Sequence, residues 1–236
     1  MKFRFRCANL LIAASAFLLS LTCSMRAEAN VIFSASNAVL EASSLSSSSV
    51  ISGSLASTFD QSGLVTAYNS GTSSFAGYIA SNPLHTAVPG SAELKITGTP
   101  PITITYILPE AIDLTHIALW NEDQDGVALF NALASSDGAI FVNIVNSASP
   151  TNNPAGSPYG PDVYNFAAVE DITQVRFEFF GPGSTGGLST SDTTVALGEV
   201  AFGGTSSSAG VVPEPTSFAI WGLMVGAVGC VRRRMA

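Results

Sequence analysis

Between residues 30 and 203 the apolar side chains come in short runs, rich in β-branched and aromatic residues. Clusters of Gly, Pro, Asn, Asp and Ser separate them. No amphipathic helical run of useful length interrupts the pattern. Such a chain must fold mainly as strands, because short apolar runs bounded by turn residues suit the pleat and not the helix. Ile102-Thr103-Ile104-Thr105-Tyr106 alternates with period two, which puts Ile102, Ile104 and Tyr106 on one face. Ile112 to Trp120 predicts a second strand. Val127 to Ser135 and Ala139 to Val145 predict two more, joined through Ser136-Asp137-Gly138. Asp-Gly between two apolar runs is a strong hairpin signal. Ile172 to Phe180 alternates again, with Val175, Phe177 and Phe179 inward and Arg176 and Glu178 outward. Val195 to Phe202 predicts the last strand. Seven or eight strands in about 175 residues imply an all-β fold, an antiparallel β-sandwich or jelly roll. Ser34 to Ser57 holds eleven serines. It is kept in the domain as a leader (30–57), part of it ordered by Val39, Leu40, Leu45, Val50, Ile51 and Leu55. Ser147 to Asp162, with four prolines and two glycines, predicts a long surface loop.

Charge narrows the partners. Charged residues make up 11% of the chain, against roughly 25% in an average domain. Between residues 30 and 211 only Lys95 and Arg176 are basic while fifteen residues are acidic, a formal charge of −13. Phosphate backbones are bound through Lys and Arg, so no nucleic acid is expected as a partner. The three cysteines, Cys7, Cys23 and Cys230, all lie in the terminal apolar segments. This excludes a disulfide scaffold, a zinc site and a cysteine nucleophile from the central domain.

The ends read as addresses. In residues 1–29, Lys2, Arg4 and Arg6 precede an apolar stretch from Leu10 to Leu21, and Ala27-Glu28-Ala29 places small residues where signal peptidase needs them. This predicts a signal peptide with helical core and a mature start at Asn30. Thr22 before Cys23 argues against a lipoprotein site. At the other end Gly and Ser at 204–211 form a linker. Val212-Pro213-Glu214-Pro215 follows, then an apolar run over 216–231, then Arg232-Arg233-Arg234. A transmembrane helix over 216–231 would be about 24 Å long, short for a hydrocarbon core of about 30 Å, with the arginines on the cytoplasmic side. Motif, short helix and arginine cluster together resemble the PEP-CTERM sorting signal of Gram-negative bacteria. The resemblance implies an exosortase substrate in which Pro213, Glu214, Pro215, Arg232, Arg233 and Arg234 are recognition residues. It also implies export across the inner membrane, transient anchoring, and a final place at the cell surface or in the extracellular matrix.

The central domain resembles a second family. Phe59-Asp60-Gln61-Ser62-Gly63-Leu64, Ile117-Ala118-Leu119-Trp120-Asn121, Ser135-Ser136-Asp137-Gly138 and Gly198-Glu199-Val200-Ala201-Phe202 occur in the order of discoidin-like, galactose-binding-like sandwiches. Ile107-Leu108-Pro109 departs from the Asp-Leu-Gly usual there. The resemblance implies a structural calcium ion on Asp60 and Glu199, completed by main-chain carbonyls, because calcium takes six to eight oxygens. Asn121-Glu122-Asp123-Gln124-Asp125-Gly126 also begins like a calcium loop, but position twelve is Ala132 where a Glu is needed, so an acidic turn is expected.

Catalytic patterns are missing. His85 and His116 are the only histidines. His116 lies in a strand pattern, and His85 in a loop where it is a candidate ligand contact. There is no Gly-x-Ser-x-Gly elbow, and Glu122, Asp123 and Asp125 are too close together for an opposed glycosidase pair. No enzyme is expected. Tyr68, Phe75, Tyr78 and Tyr159 are the loop aromatics a sugar would stack on, with burial the commoner fate of such side chains. The expected function is that of an exported, exosortase-processed surface or matrix protein with a non-catalytic, glycan-binding sandwich and calcium as candidate cofactor. The alternatives are a structural envelope or biofilm matrix protein without a soluble ligand, and a permanently anchored surface protein.

Overall fold

The computed structural model describes residues 30–41, 49–86, 92–98, 100–122, 126–153, 156–182 and 194–207. The signal segment, the Pro-Glu-Pro motif, the apolar run over 216–231 and the terminal arginines lie outside them, as do Asp123 and Asp125. Among the described residues no helix is long and apolar enough to cross a membrane. The described strands are β1 (Val31–Phe33), β2 (Asn37–Leu40), β3 (Ser49–Ser52), β4 (Leu94–Thr97), β5 (Ile102–Asn121), β6 (Val127–Ser135), β7 (Val142–Ala148), β8 (Asp162–Pro182) and β9 (Thr194–Ser206). The described helices are a 3-10 turn at Ala56–Thr58 and one α-helix, α1 (Phe75–Ala80), whose first turn is capped by Ser74 Oγ accepting from Gly77 N. All strand pairings are antiparallel.

The predicted strands 102–106 and 112–120 are halves of one strand. β5 runs for 20 residues and bends where its register with β8 shifts between Ile107 and Ile112. The first half of β5 pairs with β2 and with the second half of β8, which in turn pairs with β6, and β6 with β7. The second half of β5 pairs with β9 and with the first half of β8, and β9 carries β1 and β4. The two bent strands thus contribute to both layers. The layers face each other: Tyr106, from the first half of β5, lies 5.5 Å from Phe177 and 5.9 Å from Phe202 of β9. Ile102, Ile104, Tyr106, Val175, Phe177 and Phe179 are all buried, on the alternation read from the sequence. The Tyr106 hydroxyl donates to Thr58 Oγ1 at 3.0 Å, and that hydroxyl donates to Leu55 O. A buried polar tip is thereby satisfied.

The hairpin between β6 and β7 forms at the predicted place. Asp137 Oδ1 accepts from Ala139 N and Ile140 N, and Ser135 Oγ accepts from Gly138 N. The second strand begins at Val142 and not at Ala139, because those bonds hold residues 138–141 in the turn. Part of the serine-rich leader is ordered, as β2 and β3; residues 42–48 lie outside the described residues.

The outer face of the β5–β9 layer is buried too. Ile117 and Leu119 point into the central core, while Ala118 and Trp120 point the other way and are equally buried. With Ile32, Tyr68, Phe75, Tyr78, Tyr159 and Ala201 they form a second hydrophobic cluster beneath α1 and the loops over 59–86 and 156–161. A strand covered on both sides has no polar alternation to show. Gly203 permits the close approach of α1: a Cβ there would sit 2.6 Å from Phe75 Cδ2. Both clusters consist of residues within the compact unit 29–208. That unit thus holds both described clusters, as a domain able to fold by itself does.

Candidate functional site

β9 puts Val200 and Phe202 into the central core, so alternation turns Glu199 and Ala201 toward the second cluster. Glu199 stands opposite Trp120 of β5 and is fully buried. Above it lies the loop that follows the 3-10 turn. Gln61 adopts φ 64°, a left-handed conformation uncommon outside glycine, and from there its backbone N–H donates to Glu199 Oε2 at 3.1 Å. The Gln61 side chain closes the loop: Oε1 accepts from Tyr68 N at 2.8 Å, and Nε2 donates to Ser34 Oγ at 3.2 Å. Ser34 Oγ also bonds the Tyr68 hydroxyl at 2.8 Å. The second oxygen, Glu199 Oε1, is buried with no hydrogen-bond partner.

Burial drives the Glu199 carboxyl well above its usual range; the Gln61 bond opposes this and the Asp60 charge adds to it. Tyr68 is raised by burial and then by the Glu199 charge, and Tyr78 is pushed up to about 12 by the same two causes. Asp60 is exposed, and its Oδ1 accepts from Ser62 N at 2.9 Å, a turn bond. The loop is thus tied to Glu199 through the Gln61 N–H, the residue next to Asp60. A cation there would answer the partnerless oxygen and favour the charged form of the carboxyl, so Glu199 and the loop that carries Asp60 fit a calcium ion. Among the described residues no three His, Cys, Asp or Glu side chains cluster as a metal site. A calcium ion here would therefore draw its remaining oxygens from the main chain.

The other candidates settle elsewhere. His85 is fully buried, contrary to its reading as a ligand contact. Its ring stacks on Tyr159 at 5.1 Å, and the two residues exchange backbone hydrogen bonds. Nδ1 donates to Thr86 O at 2.9 Å, which leaves Nε2 as a bare acceptor with no partner. Glu93 Oε1 lies 3.8 Å from Nδ1 and accepts from the Tyr159 hydroxyl at 2.9 Å. Burial lowers the His85 pKa, against the Thr86 and Ala92 carbonyl bonds, so the ring is neutral near pH 7. His116 is half-buried in β5. Its Nδ1 meets Thr115 Oγ1 at 2.6 Å and Asn30 Nδ2 at 3.2 Å, and burial lowers its pKa. The two histidines hold separate packing positions.

Asn121 bonds across to Val127 and Thr151. Its Oδ1 accepts from Val127 N at 2.7 Å and its Nδ2 donates to the Val127 and Thr151 carbonyls. Tyr68, Phe75, Tyr78 and Tyr159 are all buried in the second cluster. None is available as a stacking platform, because the outer face of the β5–β9 layer needs them as its cover. Sequence reading missed Gln61, Tyr68 and Ser34 as partners around Glu199. Gln61 stood inside the Phe59–Leu64 motif, but its left-handed backbone has no signature in a non-glycine residue.

No family model and no curated protein matches the chain. Solved structures similar to it include a carbohydrate-binding module, CBM32-3, from a family 31 glycoside hydrolase of Clostridium perfringens, at 17% identity over 48% of this chain and 75% of that one, with a TM-score of 0.38. Another is the CBM32 of AlyQ in complex with 4,5-unsaturated mannuronic acid, at 13% identity over 73% of this chain and 97% of that one, with a TM-score of 0.41. A third is truncated AlyQ with CBM32 and alginate lyase domains, at 15% identity and a TM-score of 0.45, covering 75% of this chain but only 34% of that one.

Proposed function

We propose that the chain is an exported surface or matrix protein whose sandwich is a non-catalytic, glycan-binding module braced by calcium. The observation that carries the metal half is Glu199: a fully buried carboxylate with one oxygen held by the Gln61 N–H and the other unanswered, below a loop that also presents Asp60. An ion pair or hydrogen bond is the usual answer to such a group, and a cation is the answer this reading supplies. Calcium would supply charge neutralisation and would lock the loop, while Gln61, Tyr68 and Ser34 hold the loop in register for it. Glycan as the ligand class rests on the ordered motifs shared with galactose-binding-like sandwiches. Signal peptidase at Ala27-Glu28-Ala29 and an exosortase at Pro213-Glu214-Pro215 are the processing enzymes of this reading. The C-terminal helix is its transient anchor.

Burial of Tyr68, Phe75, Tyr78 and Tyr159 favours a second reading, a structural matrix protein without a soluble ligand. The two separate in one experiment. The domain 30–208 is applied to a glycan array with calcium and again with a chelator, beside the variant E199Q. The proposal expects saturable binding that chelation weakens and that E199Q makes indifferent to calcium. A folded domain that binds no glycan in either condition favours the matrix protein. Binding unmoved by chelation removes calcium from the proposal.

A further inference from the structure

The two layers differ on their outer faces. That of the β5–β9 layer is sealed by the second cluster. The other layer consists of β2, the first half of β5, the second half of β8, β6 and β7, and no described cluster lies outside it. Strand pairing brings Val39, Thr105, Arg176 and Leu133 into one row across four strands, each opposite the next. Their neighbours along each strand point into the core, so this row faces outward. Thr103, Glu178 and Asn131 form the row beside it. Val39 is 44% exposed, and Arg176, Leu133, Glu178 and Asn131 are half-buried.

The polar groups of this face are fixed in place. Arg176 is one of two basic residues between 30 and 211. Its Nε donates to Thr105 Oγ1 at 3.2 Å, its Nη2 donates to Glu41 Oε1 at 3.4 Å, and its guanidinium lies 3.7 Å over the Phe141 ring. Thr105 Oγ1 donates to Glu41 Oε1 at 2.6 Å, so the three side chains hold one another. Glu178 Oε2 accepts from Asn131 Nδ2 at 3.0 Å, and Asn131 Oδ1 accepts from Ser147 N. A guanidinium and a carboxylate thus stand two residues apart on β8, about 7 Å along the strand. Both are already oriented, which lowers the cost of meeting a ligand. A partly exposed ion pair such as Arg176–Glu41 adds little to stability, so bracing the fold does not account for the cluster.

We propose that this outer face is the glycan site, and that its ligand is a neutral oligosaccharide lying across β5, β8 and β6. The inference rests on the glycan reading above and adds the site and the charge class of the ligand. Tyr68, Phe75, Tyr78 and Tyr159 are buried, so the loops over the β5–β9 layer offer no stacking platform through them. Charge selects the occupant of the open face. Glu41 and Glu178 flank Arg176 in a domain with fifteen acidic residues, so a polyanion is repelled. A polycation meets Arg176 at the centre, and an apolar partner would leave the carboxylates desolvated. A neutral polyhydroxyl chain accepts from Arg176 and donates to Glu178. Its C–H faces rest on Leu133 beside Arg176 and on Leu129 and Phe180, the next outward pair beyond Glu178. β5 and β8 run from this face into the other layer, so calcium at Glu199 bears on the site only through the fold.

An array of neutral and uronic-acid oligosaccharides, probed with the domain 30–208, supplies the test ligand. Calorimetric titration with the neutral oligosaccharide that binds most tightly then tests the site. R176A and E178A should each weaken affinity by about tenfold or more. V65A, at an exposed position on the loop side, should bind as the native domain does. Amide chemical shifts of the native domain give a reading that needs no variant. Saturation with the oligosaccharide should move residues 103–105, 131–133 and 176–178 and leave 60–64 in place. Binding with shifts confined to the loops over 59–86 overturns this site and leaves the glycan reading standing. A preference for uronic-acid chains overturns the charge class and with it the proposal. A folded domain that binds no oligosaccharide overturns both the site and the glycan reading.

Discussion

The two hydrophobic clusters on either side of the β5–β9 layer are built to different rules. The central one is aromatic and aliphatic, and its one fully buried hydroxyl-bearing ring, Tyr106, has its partner in Thr58. The second mixes Tyr68, Tyr78, Trp120 and Tyr159 with ionisable groups packed alongside: Glu199, His85 and Glu93. Two of the three buried polar atoms without a partner among the described residues, Glu199 Oε1 and His85 Nε2, lie on this side. A dry core gains stability from every residue it buries, at about 25 cal/mol per Å² of apolar surface. A cover that buries ionisable groups gives some of this up. The second cluster is therefore the side where a bound ligand would have most to restore.

The contrast can be tested by measurements taken in falling order of effect. Phe177→Ala removes a fully buried ring that touches Tyr106, Phe130 and Phe179. Urea denaturation should show a loss of about 4 kcal/mol; a loss below 1 would mean that the central core is not the stabilising one. Gly63→Ala tests the second cluster. A Cβ there would meet His85 Nε2 at 1.8 Å, backed by the Tyr159 ring, so a loss of about 3 kcal/mol is expected, at the upper end for overpacking. A milder loss would show that His85 has room to move and is not locked.

The third is calcium. At 100 times its Kd a ligand of the folded state adds about 2.7 kcal/mol, and E199Q should abolish that gain in a thermal melt. Without metal, the Glu199 carboxyl is raised in the folded state. Its contribution is then whole below about 4.5, the ordinary value, and falls as pH rises toward the higher folded value. E199Q should flatten this decline. His85 has the opposite sign: lowered on folding, it contributes fully above about 6.5 and less as pH falls. An imidazole that titrates by NMR at or above 6.5 would contradict its burial. The smallest effect lies on the central side. Tyr164 OH is buried without a partner while its ring lies 4.9 Å from Phe130. Tyr164→Phe should raise stability by about 1 kcal/mol. No gain would mean that a water answers the hydroxyl and that the central core is fully satisfied.

The outcome for the site is uneven for a physical reason. Asp60 and Glu199 stood out through motif order, and it is Gln61, next to Asp60, that bonds Glu199. Glu199 follows Gly198 and precedes Val200, and alternation from Phe202 already turns it away from the central core. Alternation does not say whether the far face meets water or a second layer. The four loop aromatics and His85 carry no periodic signal at all, so only packing decides that they are cover and not contact surface.

Local rules suffice where the determining contacts are near in sequence or repeat with a short period. The strand character of 102–106, 127–135 and 172–180, the inward set Val175, Phe177 and Phe179, the turn at Asp137-Gly138 and the uneven distribution of charge are all of that kind. Tertiary structure alone decides the rest. β5 and β8 bend so that each serves two layers, α1 and its loops bury the outer face of 117–121, and Gln61 is forced left-handed over a carboxylate 138 positions away. These depend on which surfaces meet after the chain has closed, and no window of neighbouring residues contains that information.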